Sequence, residues 1–274
     1  MAVSPPVERS AVVEALSLTR RFGRLTAVDR LSFTVANHTI FGLLGTNGAG
    51  KSTTIKMLTT LLPPTSGTAY VAGFDIRKDP QALRKHIGYV AQLLSADGEL
   101  TGYENLLISA KLYGIPRIQR NARIAEALEF MELADQADRM VSEYSGGMIR
   151  RLEIAQAMLH RPEMLFLDEP TVGLDPAAKQ AVWERIRLVR KEFGTTVLMT
   201  THDMDEADHL CDVVAFMHVG KLVATGSPRE LKQQLGPEAN LEDVFIHHTG
   251  ASISVERGDY KDVRRTRRVA QRLE

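Results

Sequence analysis

The sequence predicts an α/β fold in which helices cover both faces of a parallel sheet. Short apolar runs recur along the chain, and those around Met164 and Val197 do not alternate polar with apolar residues. Such runs are typical of strands that are buried on both faces. Helical patterns such as Lys179–Phe193 lie between them, and this succession of strand and helix is the layout of an α/β protein.

The strands follow from these apolar runs in chain order. A hairpin is predicted for Val213–Met217 and Lys221–Thr225, which lie on either side of Gly220. The predicted strands are Thr39–Leu44, Ile87–Ala91, Met164–Leu167, Thr195–Met199, Val213–Met217 and Lys221–Thr225.

The region from about Glu99 to His160 differs from the rest, because it has helical periodicity and no convincing strand. Its clearest helical pieces are Glu104–Tyr113 and Ile124–Leu133, and Gly114-Ile115-Pro116 separates them. We therefore expect a helical subdomain inserted into the α/β core.

The composition of the 274 residues is that of a globular protein with 44% hydrophobic residues. Lys plus Arg and Asp plus Glu both number 34, so net charge gives no argument for nucleic acid. The single cysteine, Cys211, is expected to be a buried thiol. The long uncharged stretches Leu31–Gly50 and Met57–Phe74 contain polar residues or prolines. We expect that the chain has no signal peptide and does not cross a bilayer on its own.

A phosphate-binding motif follows the first predicted strand. Gly45-Thr46-Asn47-Gly48-Ala49-Gly50-Lys51-Ser52 fits G-x-x-x-x-G-K-[ST], and it opens a helix that Pro63 ends. Glycine amides can surround phosphate oxygens, and the helix N-terminus favours negative charge. Lys51 would reach the β- and γ-phosphates, and Ser52 would bind magnesium. A chance glycine-rich turn is the alternative, but strand, motif and helix occur in the required order.

An acidic pair, Asp168-Glu169, ends the strand Met164–Leu167. Ligands of open α/β sheets bind at the carboxyl ends of the strands. Asp168 is therefore placed to bind magnesium, and Glu169 to take a proton from an attacking water. The alternative is an N-cap and a solvated acid. A nearby phosphate loop favours the catalytic interpretation.

A second helix start, Ser145-Gly146-Gly147, precedes the apolar helical stripe of Met148 and Leu152. Two glycines weaken a helix by roughly 1 kcal/mol each. An N-cap with a tight turn is the simpler interpretation. The glycines are better explained if a large anion approaches the exposed amides of this helix.

With these three motifs in place, the chain resembles the nucleotide-binding subunits of ABC transporters. Ser145-Gly146-Gly147 matches the signature sequence of that family. Gln92, which follows Gly88-Tyr89-Val90-Ala91, matches the Q-loop, and Gly173-Leu174-Asp175-Pro176 matches the D-loop. His202 matches the switch histidine, and Phe22 stands where an aromatic ring stacks on adenine. The resemblance covers roughly residues 10–235.

The resemblance implies a P-loop NTPase (RecA-like) core with an N-terminal antiparallel β subdomain and an inserted α-helical subdomain. It places the cassette at residues 1–235, with the helical signature subdomain at 93–160. Residues 236–274 would then be a short C-terminal extension with a basic tail.

The resemblance also implies ATP and magnesium as the bound species and gives each matched position a role. Nucleotide-binding positions are Phe22, Gly45, Thr46, Asn47, Gly48, Ala49, Gly50, Lys51, Ser52, Thr53, Ser145, Gly146, Gly147 and Asp175. Magnesium-binding positions are Ser52, Gln92 and Asp168. Catalytic positions are Glu169 as general base, His202, Lys51 and Gln92.

By the same resemblance, two such subunits form a homodimer or heterodimer head to tail. Ser145 and Gly147 of one subunit then complete the ATP site of the other, and Asp175 couples the two sites. Because Glu169 and His202 are both intact, the resemblance implies a hydrolysis-competent cassette. Its partners would be membrane permease subunits at the cytoplasmic face of the membrane, without nucleic acid. Met148 and Phe22 depart from the commoner Gln and Tyr.

Finer similarity points to the branch that exports drugs, antibiotics or lipids, which includes daunorubicin-resistance-type ATPases. It depends on Thr26–Asp29, Glu104–Leu106, Tyr144–Arg151 and Leu241–Phe245. An importer or a sodium-extrusion role stays open. A non-transport cassette that acts on DNA or ribosomes is the alternative function, and a GTPase or kinase is a third. The absence of an Asn-Lys-x-Asp sequence disfavours a GTPase.

Other polar residues receive simpler interpretations. Trp183 is expected to be a packing residue, and His247-His248 a surface pair. The acidic residues Asp203, Asp205, Glu206 and Asp208 are expected to form a solvated helix start. Arg257–Glu274 is expected to be a solvated tail, with contact to anionic lipid headgroups as the alternative.

Overall fold

The computed structural model describes residues 11–250. The strands of this range are β1 (Ala11–Phe22), β2 (Leu25–Ala36), β3 (Ile40–Leu44), β4 (Ser66–Val71), β5 (Phe74–Asp75), β6 (Ile87–Val90), β7 (Met164–Asp168), β8 (Thr196–Thr201), β9 (Val213–His218) and β10 (Lys221–Gly226). The helices are α1 (Lys51–Leu58), α2 (Pro80–Leu83), α3 (Gly102–Leu112), α4 (Arg117–Phe130), α5 (Gly146–Met158), α6 (Pro176–Phe193), α7 (Met204–Leu210), α8 (Pro228–Gln233) and α9 (Leu241–Thr249).

The central sheet has the strand order β10-β9-β3-β8-β7-β6. The strands β9, β3, β8, β7 and β6 run parallel to one another. The edge strand β10 pairs antiparallel with β9. Every residue of β3, β7 and β8 is buried, as the uninterrupted apolar runs predict. The α/β fold and the terminal hairpin are therefore confirmed.

A second, antiparallel sheet has the order β2-β1-β4-β5. β1 is paired on both edges, so that Val13 lies opposite Val35 of β2 and Val71 of β4. The buried side chains of this sheet pack with Phe41 of β3 and Ile55 of α1. The antiparallel β subdomain is confirmed, but β4 and β5 follow α1 in the chain. They join the N-terminal strands because the second edge of β1 needs a partner.

Three helices, α3, α4 and α5, separate β6 from β7 and form the predicted helical insertion. α4 begins at Arg117, earlier than the predicted start at Ile124. The early turns contain no buried side chain, and Ile118 is 91% exposed. Apolar periodicity therefore begins only at Ile124, although the backbone is already helical.

The C-terminal part of the described chain packs on the central sheet. Leu241, Val244 and Phe245 of α9 are buried, and the rings of Phe216 and Phe245 lie 5.7 Å apart. Within residues 11–250, no helix combines the length and the apolar character that a membrane span requires. The predicted basic tail, Arg257–Glu274, lies outside the described residues.

Candidate active site

The phosphate loop connects β3 to α1 and curves around the ammonium group of Lys51. Lys51 Nζ donates to the carbonyl oxygens of Gly45 at 2.8 Å and Thr46 at 3.1 Å. Gly50, the residue before α1, has a φ of 105°. A Cβ at Gly50 would lie 2.4 Å from the carbonyl oxygen of Ala27. Only glycine fits this position, so the tight loop is required by the surrounding backbone.

The rest of the loop is less enclosed. Asn47 and Gly48 are exposed at its tip, while Ala49 is buried and its carbonyl accepts from the amide of Gly220 at 3.0 Å. Thr53 lies in the first turn of α1 and is half-buried. The exposed amides of the tip are therefore available to an anion at the N-terminus of α1.

Asp168 ends β7 and is 2% exposed. Its Oδ1 accepts from the Ser52 hydroxyl at 2.9 Å and from the Thr200 hydroxyl at 2.6 Å. β7 and β8 are in register at Asp168 and Thr200. The parallel sheet thus brings a carboxylate and two hydroxyls together next to the phosphate loop, and oxygen donors of this kind suit Mg²⁺.

Glu169 is the meeting point of the predicted catalytic side chains. Its carboxylate lies 3.3 Å from Lys51 Nζ and 3.3 Å from His202 Nδ1, and it accepts from Gln92 Nε2 at 3.1 Å. The side chain is buried although Gln92 itself is exposed. The structure therefore brings together Lys51, Gln92, Glu169 and His202, which are far apart in sequence.

The backbone of Glu169 is in the left-handed region, with a φ of 49°. Its amide is fixed by Thr200, since it donates to the carbonyl oxygen at 3.1 Å and to the hydroxyl at 3.0 Å. A non-glycine residue adopts this conformation at a cost that its surroundings must offset. Here the turn directs Asp168 and Glu169 to different partners.

The charges of this cluster are interdependent. Burial by itself would raise the pKa of Glu169, but the neighbouring His202 and the Lys51 charge outweigh burial and lower that pKa. The Glu169 carboxylate in turn raises the pKa of His202, against the opposing effect of burial. The arrangement favours a carboxylate beside a protonated imidazole, with Lys51 as a second cation.

The predicted signature residues lie at the start of α5, which packs against α6. Ser145 is the N-cap of α5, and its Oγ accepts from the amide of Met148 at 3.3 Å. Asp175 caps α6 in the same way, accepting from the amide of Ala178 at 3.0 Å. Ser145, Gly146 and Asp175 are exposed. Two capped helix ends are therefore presented side by side at the surface.

A packing contact within the chain requires a small residue at position 147, and the sequence pattern does not reveal this contact. A Cβ at Gly147 would lie 2.8 Å from the Cβ of Ala178, because α5 and α6 approach closely there. A Cβ at Gly146 would meet only the end of the Leu174 side chain, at 3.1 Å. Helix packing is thus a sufficient reason for glycine at position 147, and the contact of Gly146 and Gly147 with a nucleotide stays a prediction.

Phe22 lies at the end of β1, next to the turn to β2, and the residue is 43% exposed. The guanidinium carbon of Arg20 lies 4.6 Å from the ring centroid. Arg20 is held in turn by a 2.8 Å hydrogen bond to the carbonyl oxygen of Pro63. The ring is therefore supported by a cation and still offers surface for stacking.

Glu206 corrects one prediction. It was expected to be solvated with its acidic neighbours, but it is 1% exposed on the buried face of α7. It accepts from the Thr171 hydroxyl at 2.6 Å and from Trp183 Nε1 at 2.9 Å, and burial raises its pKa. Its place in the apolar stripe with Ala207 and Leu210 was the available sequence signal. Trp183 is buried, as expected.

Comparison with protein families gives a match to the model described as ABC transporter, over residues 28–172. The daunorubicin/doxorubicin resistance ATP-binding protein of Streptomyces peucetius is 42% identical over 245 residues. The match covers 89% of this chain and 73% of that protein. A probable multidrug ABC transporter ATP-binding protein of Escherichia coli is 42% identical over 86% of this chain, which spans 41% of that relative.

Solved structures with the same fold include an ATP-binding subunit of an ABC transporter, with a TM-score of 0.77 and 28% identity. That superposition covers 87% of this chain and 99% of the solved one. A nucleotide-free ATP-binding cassette from an ABC transporter gives a TM-score of 0.75 at 26% identity, covering 85% and 98% of the two chains.

Proposed function

The chain belongs to the ABC transporter family, and we propose that it is the ATP-hydrolysing subunit that drives a separate membrane permease for export. ATP is its substrate, as in the family as a whole. One observation carries the proposal for the site: the Glu169 carboxylate is in contact with Lys51, Gln92 and His202 at once. An ionised, buried carboxylate beside the phosphate loop is a suitable general base.

Lys51 is proposed to exchange its contacts when ATP binds. Its ammonium now rests on two loop carbonyls and on Glu169. The β- and γ-phosphates would attract it more strongly than the carbonyl dipoles do. Glu169 would then be free to accept a proton from the attacking water. His202 would hold the carboxylate and the γ-phosphate in a fixed relation.

We propose that Ser52 and Asp168 hold magnesium, with Gln92 as an additional ligand. The 2.9 Å hydrogen bond from the Ser52 hydroxyl to Asp168 supports this pair of ligands, because the two oxygens are adjacent. A bound Mg²⁺ supplies positive charge that offsets the charge of the transferring phosphoryl group. Thr200 orients Asp168 through its 2.6 Å hydrogen bond, so it supports that ligand without needing to contact the ion.

The exposed starts of α5 and α6 support the proposal of a dimer. Ser145 and Gly146 offer a hydroxyl and amides at a helix N-terminus, which is an anion-binding arrangement. We propose that a second ATPase subunit, identical or closely related, presents its γ-phosphate there. The working assembly would thus be a dimer on permease subunits at the cytoplasmic face of the membrane. The proposal includes no nucleic-acid partner.

A drug-like or antibiotic compound is the proposed cargo. The relative from Streptomyces peucetius is named for daunorubicin/doxorubicin resistance. A 37% identical protein of Bacillus subtilis is named for linearmycin resistance. Nod factor export proteins are 40–42% identical, so an amphipathic lipid-like cargo belongs to the same proposal.

The test of the catalytic assignment is Glu169→Gln. Because the amide keeps the shape of the side chain but is a poor base, we expect ATP hydrolysis to fall about 10²- to 10⁴-fold. ATP binding should persist, and the bound nucleotide should remain ATP. Phosphate release and equilibrium binding of labelled ATP measure the two effects separately.

Glu163→Gln is a matched control, since Glu163 is an exposed acid that contacts His86 away from the loop. Turnover should stay at the parental value in this control. If Glu169→Gln hydrolyses ATP as fast as the parent, Glu169 is not the base. Pull-down from solubilised membranes tests the partner: recovery of ribosomes in place of a membrane protein would contradict the transport role.

A further inference from the structure

A buried arginine of α5 holds the backbone that carries Gln92. Arg150 is 2% exposed, and its two terminal nitrogens donate to the carbonyl oxygens of Ala91 at 2.7 Å and Gln92 at 2.9 Å. α5 is also the helix whose first residues are Ser145-Gly146-Gly147. One side chain therefore connects the signature helix to the residue that contacts Glu169.

Glu153, one helical turn further along α5, completes the contact. It is 3% exposed and lies 2.9 Å from Arg150 Nη1. Its Oε1 accepts from the backbone amide of Ser95 and from the Ser95 hydroxyl, the latter at 3.1 Å. The pair thus binds both ends of the short segment 91–95, which we name the Q-loop segment.

The Q-loop segment has little else to fix it. Leu93 is 81% exposed and Leu94 is 51% exposed, so neither side chain anchors the segment in the core. No helix or strand includes these residues. Besides its continuity with β6 and the hydrogen bond from the Gln92 side chain to Glu169, the segment is held by the bonds that Arg150 and Glu153 make at its two ends.

A buried ion pair is a costly way to join two segments, because both charges lose their hydration. A pair of apolar residues of similar size would often give equal or greater stability. Such a pair would fill the space but would not hold particular carbonyl and amide groups at fixed distances. Arg150 binds two adjacent carbonyls with its planar fork, and this fixes direction as well as distance.

We propose that Arg150 and Glu153 are positioning residues that make Gln92 and the Ser145–Gly147 helix start move as one unit. The proposal rests on the proposed function. When ATP draws Gln92 into place, the start of α5 would be carried into the orientation that a second subunit's γ-phosphate requires. When the phosphate is lost, both would relax together. Neither Arg150 nor Glu153 needs to touch the nucleotide.

The test replaces the whole pair, so that no charge is left buried alone. In the double variant Arg150→Met/Glu153→Leu, amide exchange in the Q-loop segment should accelerate, with Ser95 affected most. The kcat for ATP should fall about 10- to 100-fold because the catalytic groups are no longer held in register. The affinity for ATP should change by less than about threefold, since the phosphate loop is intact.

Arg151→Met is the control on the same helix. Arg151 Nη1 donates to the carbonyl oxygen of Met131 at 2.8 Å, so it holds the end of α4 and not the Q-loop segment. This variant should leave exchange at Ser95 as slow as in the parent. If it accelerates Ser95 to the same extent as the double variant, the effect is general loosening of α5 and the proposal is wrong.

Arg150→Lys gives a second test if the double variant does not fold. Lysine keeps the charge but lacks the planar fork that binds two carbonyls. It should accelerate exchange in the Q-loop segment and lower kcat with little change in KM. Parental exchange and parental kcat in either variant would overturn the proposal. A parent chain that binds but does not hydrolyse ATP would instead count against the proposed function.

Discussion

Glu169 illustrates how much a single residue depends on its neighbours. Its left-handed backbone is fixed by Thr200, and its carboxylate is surrounded by Lys51, Gln92 and His202. Burial alone would favour the protonated acid, yet the neighbouring charges keep the group ionised. An ionised carboxylate that is largely withheld from water suits the proposed role of Glu169 as the general base.

The pKa of His202 tests this coupling. Glu169→Gln removes the negative charge that raises the pKa of His202, while the opposing effect of burial remains. We therefore expect the pKa of His202 to be lower in this variant than in the parent. NMR titration of the ring protons, assigned with His202→Gln, measures the shift. The pKa of His160, which burial lowers, should not respond.

The raised pKa of His202 also sets the direction in which stability changes with pH. Because the pKa of His202 is raised on folding, its contribution to the free energy of unfolding is present below about pH 6.5. The contribution is lost as the pH rises through the folded-state pKa. The difference in the free energy of unfolding between the parent and His202→Gln should narrow as the pH rises from about 6.5 through the folded-state pKa of His202. A difference that widens with rising pH would contradict the assigned ion contact.

At the scale of elements, the starts of α5 and α6 form one unit. Each begins with a side-chain cap, and the two helices approach so closely at Gly147 and Ala178 that a methyl group would not fit without movement. Lys179 adds a 2.7 Å contact to Asp203, the N-cap of α7. Glu206 connects α7 to Thr171 and Trp183. The predicted signature, D-loop and switch positions are therefore joined through three packed helices.

A double-mutant cycle at the crossing of α5 and α6 tests this packing. Gly147→Ala gains helix propensity of up to about 1 kcal/mol, but overpacking typically costs about 1–3 kcal/mol. We expect a net loss in the free energy of unfolding, measured by urea denaturation. Adding Ala178→Gly should recover part of it by making room. Gly146→Ala, which meets only the end of Leu174, should change stability by less than about 0.5 kcal/mol.

Failure to find coupling between positions 147 and 178 would show that the two helices separate easily. Gly147 would then need the ligand-based explanation that its sequence suggests. Substitutions at Gly147 are in any case poor probes of nucleotide contact, because they disturb α5 and α6 in the isolated chain. Gly146, which is exposed, is the better position for that purpose.

At the scale of the whole molecule, the central sheet assembles one half of the proposed ATP site, and the helical insertion carries the residues proposed as the other half. β3, β7 and β8 end next to one another and deliver Lys51, Asp168, Glu169 and His202 to one edge. Ser145 and Gly146 instead lie exposed at the start of α5, where the nearest side chain to Gly146 is Leu174. If ATP requires both halves, two chains must each lend one half to the other.

A mixing experiment distinguishes this arrangement from a site within one chain. Lys51→Met disables the phosphate loop, and Gly146→Asp places a negative charge at the start of α5. Each variant alone should hydrolyse ATP about 10²-fold more slowly than the parent or worse. A mixture contains heterodimers with one intact composite site, so its turnover should exceed that of either variant. Turnover equal to the average of the two would contradict a shared site.

The amino-acid sequence by itself determined the class of fold, the buried strands of the central sheet and the helical insertion, and it predicted the residues that the structure brings together around Glu169. These depend on local order and spacing, such as Lys51 after a buried strand or Asp168-Glu169 at a strand end. Only the tertiary structure decided that Glu206 bonds Thr171 and Trp183, that Gly147 packs against Ala178 and that Arg150 holds the Q-loop segment. Those facts depend on which surfaces meet. Contacts between residues dozens of positions apart arise from chain folding, and no local period or composition encodes them.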